Sequence, residues 1–396
     1  MVNSEISERS ILIAHLADLH LRDSQYVTTR RGIDFFEAAK RAVTAAAEAA
    51  DVLVVVGDIF DRSRPSPKVI GQLMQIDQLL KDAGKAMLSV TGNHDWGDPT
   101  WLSTLFPGRT PEDGNLPDGV TGIIPIDETS VTFRGFRFVG IKPYACAAFR
   151  HHLAEVTVAA READVVLYHA LVDGVVPFYA GKDPLHVDEF PISKNNKAWL
   201  LGDIHIQGFV TKDRPGGGKT LIGYPGSTEM CSASEPTEKS IPLIRLSGEA
   251  ATIEASLSLK IRPFISADVG TEGELELLME RVNAVAHAHP VVIARFDRSL
   301  PHTINRLHSV LDAQRAVLRC YPLPGTKTAA RREMDVEEGA PLTMDHFVKK
   351  RFDGRADLET VAMGLLHRGE TEAQDIMLRM VDERLAAAGV RETDDN

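Results

Sequence analysis

In the stretch ILIAHLADLH, residues 11–20, an apolar run is followed by two residues of types that bind metal ions, Asp18 and His20. An apolar, β-branched run of this length predicts a buried strand. Because Asp18 and His20 are two positions apart, extended chain points them to the same side, as two ligands of one ion require. In open α/β sheets, ligands bind beyond the carboxyl ends of the strands. The stretch therefore predicts an α/β fold with a metal site at a sheet edge.

The same arrangement recurs along the chain. Polar motifs follow the runs DVLVVV, KAMLSV, ADVVLY and KAWLL, and they are Gly57-Asp58-Ile59-Phe60-Asp61, Gly92-Asn93-His94-Asp95, Tyr168-His169 and Gly202-Asp203-Ile204-His205. Carboxylate, amide and imidazole ligands favour manganese, magnesium, iron or zinc, and the lack of thiolate argues against a closed structural zinc site. Two divalent ions about 3.5–4 Å apart can hold both oxygens of a phosphoryl displacement. Asp58, directly after a buried strand, is the expected bridge.

The order of these motifs resembles the calcineurin-like metallophosphoesterase superfamily, whose pattern is D-x-H, G-D, G-N-H-[DE], H and G-H-x-H. The resemblance implies an α/β fold built as a four-layer α-β-β-α sandwich. It assigns one ion to Asp18, His20, Asp58 and His205, and the other to Asp58, Asn93, His169 and Asp203. It makes His94 a general acid that protonates the leaving oxygen, with Asp95 orienting its ring.

Position 203 departs from this pattern, because the superfamily normally has histidine where this chain has Asp203. A carboxylate can still ligate, and its added negative charge would favour harder ions such as manganese or magnesium. The alternative is that Asp203 faces solvent and the second ion binds weakly.

Two segments carry a finer resemblance. GDIFDRSRPSP, residues 57–67, and Tyr224-Pro225-Gly226-Ser227 are similar to elements of the SbcD-type DNA exonucleases and their break-repair counterparts. This resemblance implies a 3′-to-5′ exonuclease and endonuclease in DNA repair or recombination, using two ions, most simply Mn²⁺ with Mg²⁺ as the other option. Its implied partners are DNA and an SMC-like coiled-coil ATPase of the SbcC type, and a homodimer is compatible with it. The alternatives are a phosphatase or cyclic-nucleotide phosphodiesterase, and a scaffold that binds DNA and the ATPase with weak catalysis.

The charge balance is unusual for a DNA-binding protein, since the net charge is −12 and phosphate contacts normally require clustered Lys and Arg. Candidate contacts lie close to the first two motifs and in the Pro-Gly-Ser element. They are Asp61, Arg62, Arg64, Lys68 and Ser227, with Arg30 and Arg31 as further basic groups.

Changes in pattern along the chain predict four parts: a phosphoesterase domain at 1–260, a capping domain for DNA access at 261–323, a linker at 324–340 and a helical tail at 341–396. In the capping domain we expect a helix at Glu274–Ala288, a strand at Val291–Phe296, a helix capped by Thr303 and a strand at Ala316–Tyr321. The tail has an apolar stripe that includes Ile376 and Met380. The stripe either packs on this chain or docks on the ATPase, and the resemblance favours docking.

The cysteines Cys146, Cys231 and Cys320 lie far apart without CxxC spacing, which predicts neither a disulfide framework nor a zinc knuckle. The polar N-terminus and the absence of a run of about 20 apolar residues predict no secretion and no membrane span. A cytoplasmic location follows, in a cellular or viral context.

Overall fold

The computed structural model describes residues 9–25, 29–97, 99–144, 146–176, 185–296 and 317–322. The chain divides into two units, Met1–Thr326 and Lys327–Asn396. All described residues belong to the first unit. The predicted linker, the helical tail and the helix expected at Thr303 lie outside the described residues.

Strands and helices alternate from Ser10 to Pro125, and strands predominate after that. The strands are β1 (Ser10–Leu16), β2 (Val52–Val56), β3 (Ala86–Val90), β4 (Gly122–Pro125), β5 (Ser130–Phe133), β6 (Phe136–Ile141), β7 (Val165–His169), β8 (Val172–Asp173), β9 (Leu185–His186), β10 (Ala198–Gly202), β11 (Gly208–Asp213), β12 (Lys219–Tyr224), β13 (Lys239–Ser247), β14 (Ala251–Leu259), β15 (Phe264–Val269), β16 (Val291–Phe296) and β17 (Val317–Pro322). The α-helices are α1 (Thr29–Ala49), α2 (Pro67–Asp82), α3 (Trp101–Leu105), α4 (Cys146–His151), α5 (Leu153–Ala160) and α6 (Glu272–Ala284).

Two six-stranded sheets form the body of the described chain. The first has the order β14-β13-β1-β2-β3-β4 and the second β11-β12-β10-β7-β6-β5. The strands from β1 to β4 are parallel, as are β6, β7, β10 and β12, whereas β13, β14, β5 and β11 pair antiparallel with their neighbours. Parallel pairing brings the carboxyl ends of β1, β2 and β3 to one edge, and those of β7 and β10 to one edge of the second sheet.

Alternate side chains along each strand face opposite layers of the fold. In β2, Val52, Val54 and Val56 join the core between the two sheets, while Leu53 and Val55 face the core that α1 and α2 cover. On the far side of the second sheet, strand residues such as Trp199 pack with Phe149 of α4 and Val156 of α5. Because both faces of these strands are buried, their sequences are continuous apolar runs. The four-layer α-β-β-α arrangement predicted from the sequence is confirmed.

A smaller α/β part follows the sandwich. Its parallel sheet has the order β15-β16-β17, and α6 covers it through Leu275, Leu278 and Val282. β16 begins and ends at the predicted residues, whereas β17 is shifted by one residue and α6 ends four residues before the expected Ala288. The role of this part as a cap for DNA entry stays a prediction. Within the described ranges, no helix is long and apolar enough to cross a membrane.

Asp77 of α2 ties that helix to β4 and to the loop before it. Its buried carboxylate accepts hydrogen bonds from Arg109, from the backbone N–H of Ile123 at 2.9 Å, and pairs with Lys81 at 2.8 Å. Burial opposes its charge, but the hydrogen bonds from Arg109 and Lys81 outweigh burial and lower the pKa of Asp77. Stability from such a group is complete above the unfolded-state pKa of about 3.9 and is lost as the pH falls through the lower folded-state pKa.

We therefore expect Asp77→Asn to lower the free energy of unfolding at pH 7 by about 1–3 kcal/mol, because it weakens charge-assisted hydrogen bonds. The same variant should lose less stability than the wild type when the pH falls below about 4. Denaturant unfolding from pH 7 to pH 2 measures both effects. Asp82→Asn, an exposed position on the same helix, serves as the control. An equal pH dependence in Asp77→Asn and wild type would contradict the assignment.

Candidate metal centre

The predicted ligands converge at the facing edges of the two sheets. Asp18 and His20 follow β1, Asp58 follows β2, and Asn93 follows β3. His169 is the last residue of β7 and is the register partner of Gly202 at the end of β10. Parallel strands that end at the facing edges of the two sheets thus bring together five segments that are far apart in sequence.

The first ligand group is centred on two histidines. His20 Nε2 lies 3.1 Å from His205 Nε2 and 3.7 Å from Asp58 Oδ2. Both His20 and Asp58 are buried, whereas the side chain of His205 is 26 % exposed. His20 thus lies within reach of both a second imidazole and the Asp58 carboxylate, as one ligand among several of a single ion does.

The second ligand group lies on the other side of Asp58. His169 Nε2 is 2.9 Å from Asn93 Oδ1, 3.4 Å from Asp58 Oδ1 and 3.7 Å from Asp203 Oδ1. Asp58 therefore presents one oxygen to each group, the geometry expected of a bridging ligand. Asp18, which the resemblance assigned to the first ion, lies with this second group: its carboxylate accepts from the backbone N–H of Asp203 at 3.1 Å and is within 4.8 Å of the ligand atoms of Asp58 and His169.

The hydrogen bonds of the imidazoles leave lone pairs directed into the site. His169 Nδ1 lies 2.9 Å from the Val56 carbonyl oxygen and His205 Nδ1 lies 2.9 Å from Glu235 Oε1. A proton on each Nδ1 leaves the Nε2 of a neutral ring as an acceptor. The Asn93 amide lies 2.9 Å from His169 Nε2, beside the Asp58 carboxylate. Imidazole, carboxylate and amide groups that converge in this way are a donor set that fits divalent metal ions.

The electrostatics of the buried groups also favour a cation. Burial opposes charge on His169, but Asp58, Asp18 and Asp203 outweigh burial and raise the pKa of His169 to about 10. Burial raises the pKa of Asp18 to about 7 and also raises the pKa of Asp203. Positive charge is therefore stabilised at the centre of the site, and the charged forms of Asp18 and Asp203 are disfavoured without it.

The backbone at the site is strained. Positive φ angles occur at four ligand residues: Asp18 (53°), His20 (45°), Asp58 (50°) and Asp203 (102°). Each such residue costs about 1–3 kcal/mol, and strain of this kind concentrates at functional sites. The motif glycines permit close approach, since a Cβ at Gly92 would lie 2.1 Å from Asp58 Oδ1 and one at Gly202 1.9 Å from the Val56 carbonyl oxygen. Side chains at these glycines would displace the ligands.

His94 stands at the exposed edge of the site. Its side chain is 43 % exposed, its Nδ1 lies 2.7 Å from the Asp61 carbonyl oxygen, and its Nε2 lies 4.0 Å from Asp58 Oδ2. A proton on Nδ1 is held by that carbonyl, which turns Nε2 towards the ligand groups. The position suits an acid that meets a leaving oxygen from the solvent side.

Asp95 lies differently from the prediction that it orients the ring of His94. It is fully buried, and its carboxylate accepts from the backbone N–H groups of Ile59 at 2.9 Å, Phe60 at 2.6 Å and Gly92 at 3.2 Å. Asp95 thereby ties the loop after β3 to the loop after β2. The carbonyl of Asp61, which the sequence did not single out, holds the His94 ring instead.

The predicted DNA contacts divide into exposed and buried groups. Arg62, Arg64 and Lys68 are exposed, and the two arginines line a surface cavity of about 140 Å³ that also includes Asp61. Asp61 is half-buried, with its carboxylate 2.7 Å from Arg22 and 3.7 Å from His20 Nδ1.

Arg31 and Ser227 are buried and do not fit the predicted DNA contacts. Arg31 pairs with Asp34 at 3.1 Å and donates to the Met230 carbonyl at 2.8 Å. Ser227 Oγ donates to the Glu229 carbonyl at 2.8 Å and accepts from Lys239 Nζ. Both residues stabilise the segment next to His205, because tertiary packing encloses side chains that a sequence pattern would leave on the surface.

Three residues near the first group were missed in the sequence. Glu235 accepts from His205 and pairs with Lys239 at 2.7 Å, so it fixes the imidazole as a carboxylate commonly does for a metal-binding histidine. The Cys231 thiol lies within 4.8 Å of the ligand nitrogens of His20 and His205. It adds a softer donor type to a ligand set that the sequence predicted to be free of sulfur. The only sequence signal is their proximity to Ser227.

The family model for calcineurin-like phosphoesterases matches residues 11–207, which include the ligand residues from Asp18 to His205 but not Cys231. Residues 11–207 belong to the calcineurin-like phosphoesterase family. This domain is accordingly that of a metal-dependent phosphoesterase, and the two ligand groups around Asp58 are its candidate metal centre.

Relatives of this phosphoesterase include proteins named DNA double-strand break repair protein Mre11. The protein of Halobacterium salinarum is 28 % identical over 393 residues, which covers 96 % of this chain and 92 % of that relative. The protein of Methanosarcina acetivorans is 28 % identical over 309 residues, covering 74 % of this chain but only 46 % of the relative. The protein of Saccharolobus solfataricus is 25 % identical over 284 residues, 70 % of this chain and 71 % of the relative. The likeness to Mre11 thus extends beyond the phosphoesterase domain.

Proposed function

We propose that this phosphoesterase is a DNA nuclease that hydrolyses phosphodiester bonds in repair or recombination, with 3′-to-5′ exonuclease and endonuclease action. The observation that carries the proposal is the pair of ligand groups that share Asp58, with His94 at the exposed edge. The names of the relatives support DNA as the substrate. The exposed Arg62, Arg64 and Lys68 lie on the segment that follows Asp58 and could meet the phosphate backbone.

The residues divide the chemistry among them. Asp18, His20, Asp58 and His205 would hold one ion, and Asp58, Asn93, His169 and Asp203 the other. Two divalent ions bound there would neutralise charge on the phosphate and orient it. His94, held through Nδ1 by the Asp61 carbonyl, would give its Nε2 proton to the departing 3′ oxygen. Manganese is the proposed metal, because the added carboxylate of Asp203 favours a hard ion.

The test is metal-dependent cleavage by the purified chain. Labelled duplex and single-stranded DNA, bis-p-nitrophenyl phosphate and p-nitrophenyl phosphate are each incubated with manganese, magnesium or chelator. We expect cleavage of DNA and of the diester with manganese, and loss of both with chelator. Undiminished cleavage in excess chelator would contradict a metal-dependent mechanism. Preference for the monoester without DNA cleavage would assign the chain to the phosphatases instead.

The proposal includes a partner, a coiled-coil ATPase of the SbcC type, and a cytoplasmic location for the complex. Its support is the apolar stripe in residues 341–396 and the polar, charged stretch before it. An amphipathic helix can lay such a stripe into a groove of a partner protein. A homodimer of the phosphoesterase is compatible with the same proposal.

We expect Ile376→Glu combined with Met380→Glu to abolish co-purification with the ATPase, because burying two unpaired charges costs several kcal/mol. Metal-dependent cleavage of the small diester should persist. Arg379→Glu, on the polar side of the same pattern, is the control for added charge and should still co-purify. Unchanged binding by the double variant would show that the stripe belongs to this chain's own core.

A further inference from the structure

A cavity opens directly beside the second ligand group. It has a volume of about 440 Å³, and Asn93, His169 and Asp203 form one part of its lining. Two aromatic residues, Trp96 and Tyr144, together with Pro143 line another part. The volume is within the range of about 300–1,000 Å³ that small-molecule sites have. A group bound at the metal ligands would thus have an aromatic cavity next to it.

We propose that this cavity binds a nucleobase of the DNA strand being cut, against the rings of Trp96 and Tyr144. The inference rests on the proposed nuclease function and specifies its substrate. The nucleotide whose phosphate lies at the ligands would place its base in the cavity. Base stacking on aromatic side chains tolerates every base, because each base has a π-face. A base inside a duplex stack cannot enter, so the cavity selects an unpaired or flipped nucleotide.

Trp96 is positioned by the loop after β3, which also carries Asn93 and His94. The buried carboxylate of Asp95 anchors that loop to the N–H groups of Ile59 and Phe60. Its indole is nevertheless 44 % exposed. An exposed tryptophan on an anchored loop presents a large apolar surface without requiring the loop to reorganise.

Tyr144, in the other part of the cavity lining, is held in place by neighbouring side chains. Its ring stacks on His152 with centroids 4.8 Å apart and an interplanar angle of 18°. Lys142 Nζ lies 5.2 Å from the ring centroid and pairs with Glu128 at 2.6 Å. The stacking fixes the plane of the phenol ring before any ligand binds, which lowers the entropic cost of binding a flat base.

The first test compares DNA strands that end in a normal nucleotide with strands that end in an abasic one. For the wild type we expect kcat/KM to be about 5- to 150-fold higher with the base present, which corresponds to stacking of about 1–3 kcal/mol. Trp96→Ala and Tyr144→Ala should each move this ratio towards one, and Trp96→Phe should restore part of it. Ile253→Ala, a control with 43 % exposure outside the cavity, should keep the wild-type ratio.

The second test measures binding without cleavage. A strand with terminal 2-aminopurine is titrated with His94→Ala protein, and stacking should quench its fluorescence more than in the His94→Ala/Trp96→Ala protein. Cleavage of normal and abasic ends with equal efficiency, or an unchanged ratio in both aromatic variants, would overturn the cavity assignment alone. Failure of the wild type to cut or bind any DNA would overturn the nuclease function, and the nucleobase site with it.

Discussion

Replacing His94 with alanine is expected to lower turnover by about 10²–10⁴-fold, the usual contribution of a positioned general acid. The expectation follows from its place at the edge of the site, where Nε2 is 4.0 Å from Asp58 and the ring is held by the Asp61 carbonyl. Metal binding should remain near the wild-type level, because the ligands proposed for the two ions do not include His94. Turnover of bis-p-nitrophenyl phosphate and metal content by mass spectrometry measure the two effects.

His186→Ala provides the matched control, since His186 has a similar side-chain exposure of 49 % and lies outside the ligand groups. It should retain wild-type turnover. Because His94 is close enough to His20 and Asp58 to contribute a ligand atom, metal content separates two roles. Loss of bound metal in His94→Ala would make His94 a ligand rather than an acid.

Replacing Asp203 with alanine is expected to remove about one metal ion per chain and most of the activity. Asp203 Oδ1 lies 3.7 Å from His169 Nε2, and burial raises the pKa of its carboxyl, a cost that a bound cation would offset. Of the ligands proposed for the second ion, removal of this carboxylate leaves Asn93, His169 and the shared Asp58, with Asp18 nearby. Most activity should disappear because a two-ion displacement needs both ions.

Asp203→His should keep both ions and change the preferred metal, since imidazole suits zinc and iron better than carboxylate does. Asp203→Asn retains an oxygen donor, and asparagine tolerates the positive φ of 102° at this position. Comparing it with Asp203→Ala therefore distinguishes loss of a metal ligand from a change in backbone strain. Asp213→Ala, a change at an exposed carboxylate on β11, is the control. Two tightly bound ions in Asp203→Ala would show that Asp203 is not a ligand.

Local pattern was sufficient for the buried strands and the ligand segments, and the family resemblance supplied the four layers. Each apolar run became a strand buried on both faces, and each ligand lies at the end of its strand or just after it, because side-chain alternation and strand length are properties of consecutive residues. The predicted β16 matches the structure from Val291 to Phe296 for the same reason. The family resemblance of the motifs named Asp58 as the bridge, and its two oxygens do face different groups.

Tertiary structure alone decided which side chains support the site. Asp95 accepts hydrogen bonds from backbone N–H groups and does not hold the ring of His94. Ser227 and Arg31 are buried, and Glu235 orients the imidazole of His205. The cavity between Trp96 and Tyr144 exists because the loop after β3 and the loop after β6 end beside each other. Such contacts depend on strand order and on how two sheets pack face to face. Residue periodicity reports which face of an element is buried, but the identity of the neighbour is set by elements distant in sequence.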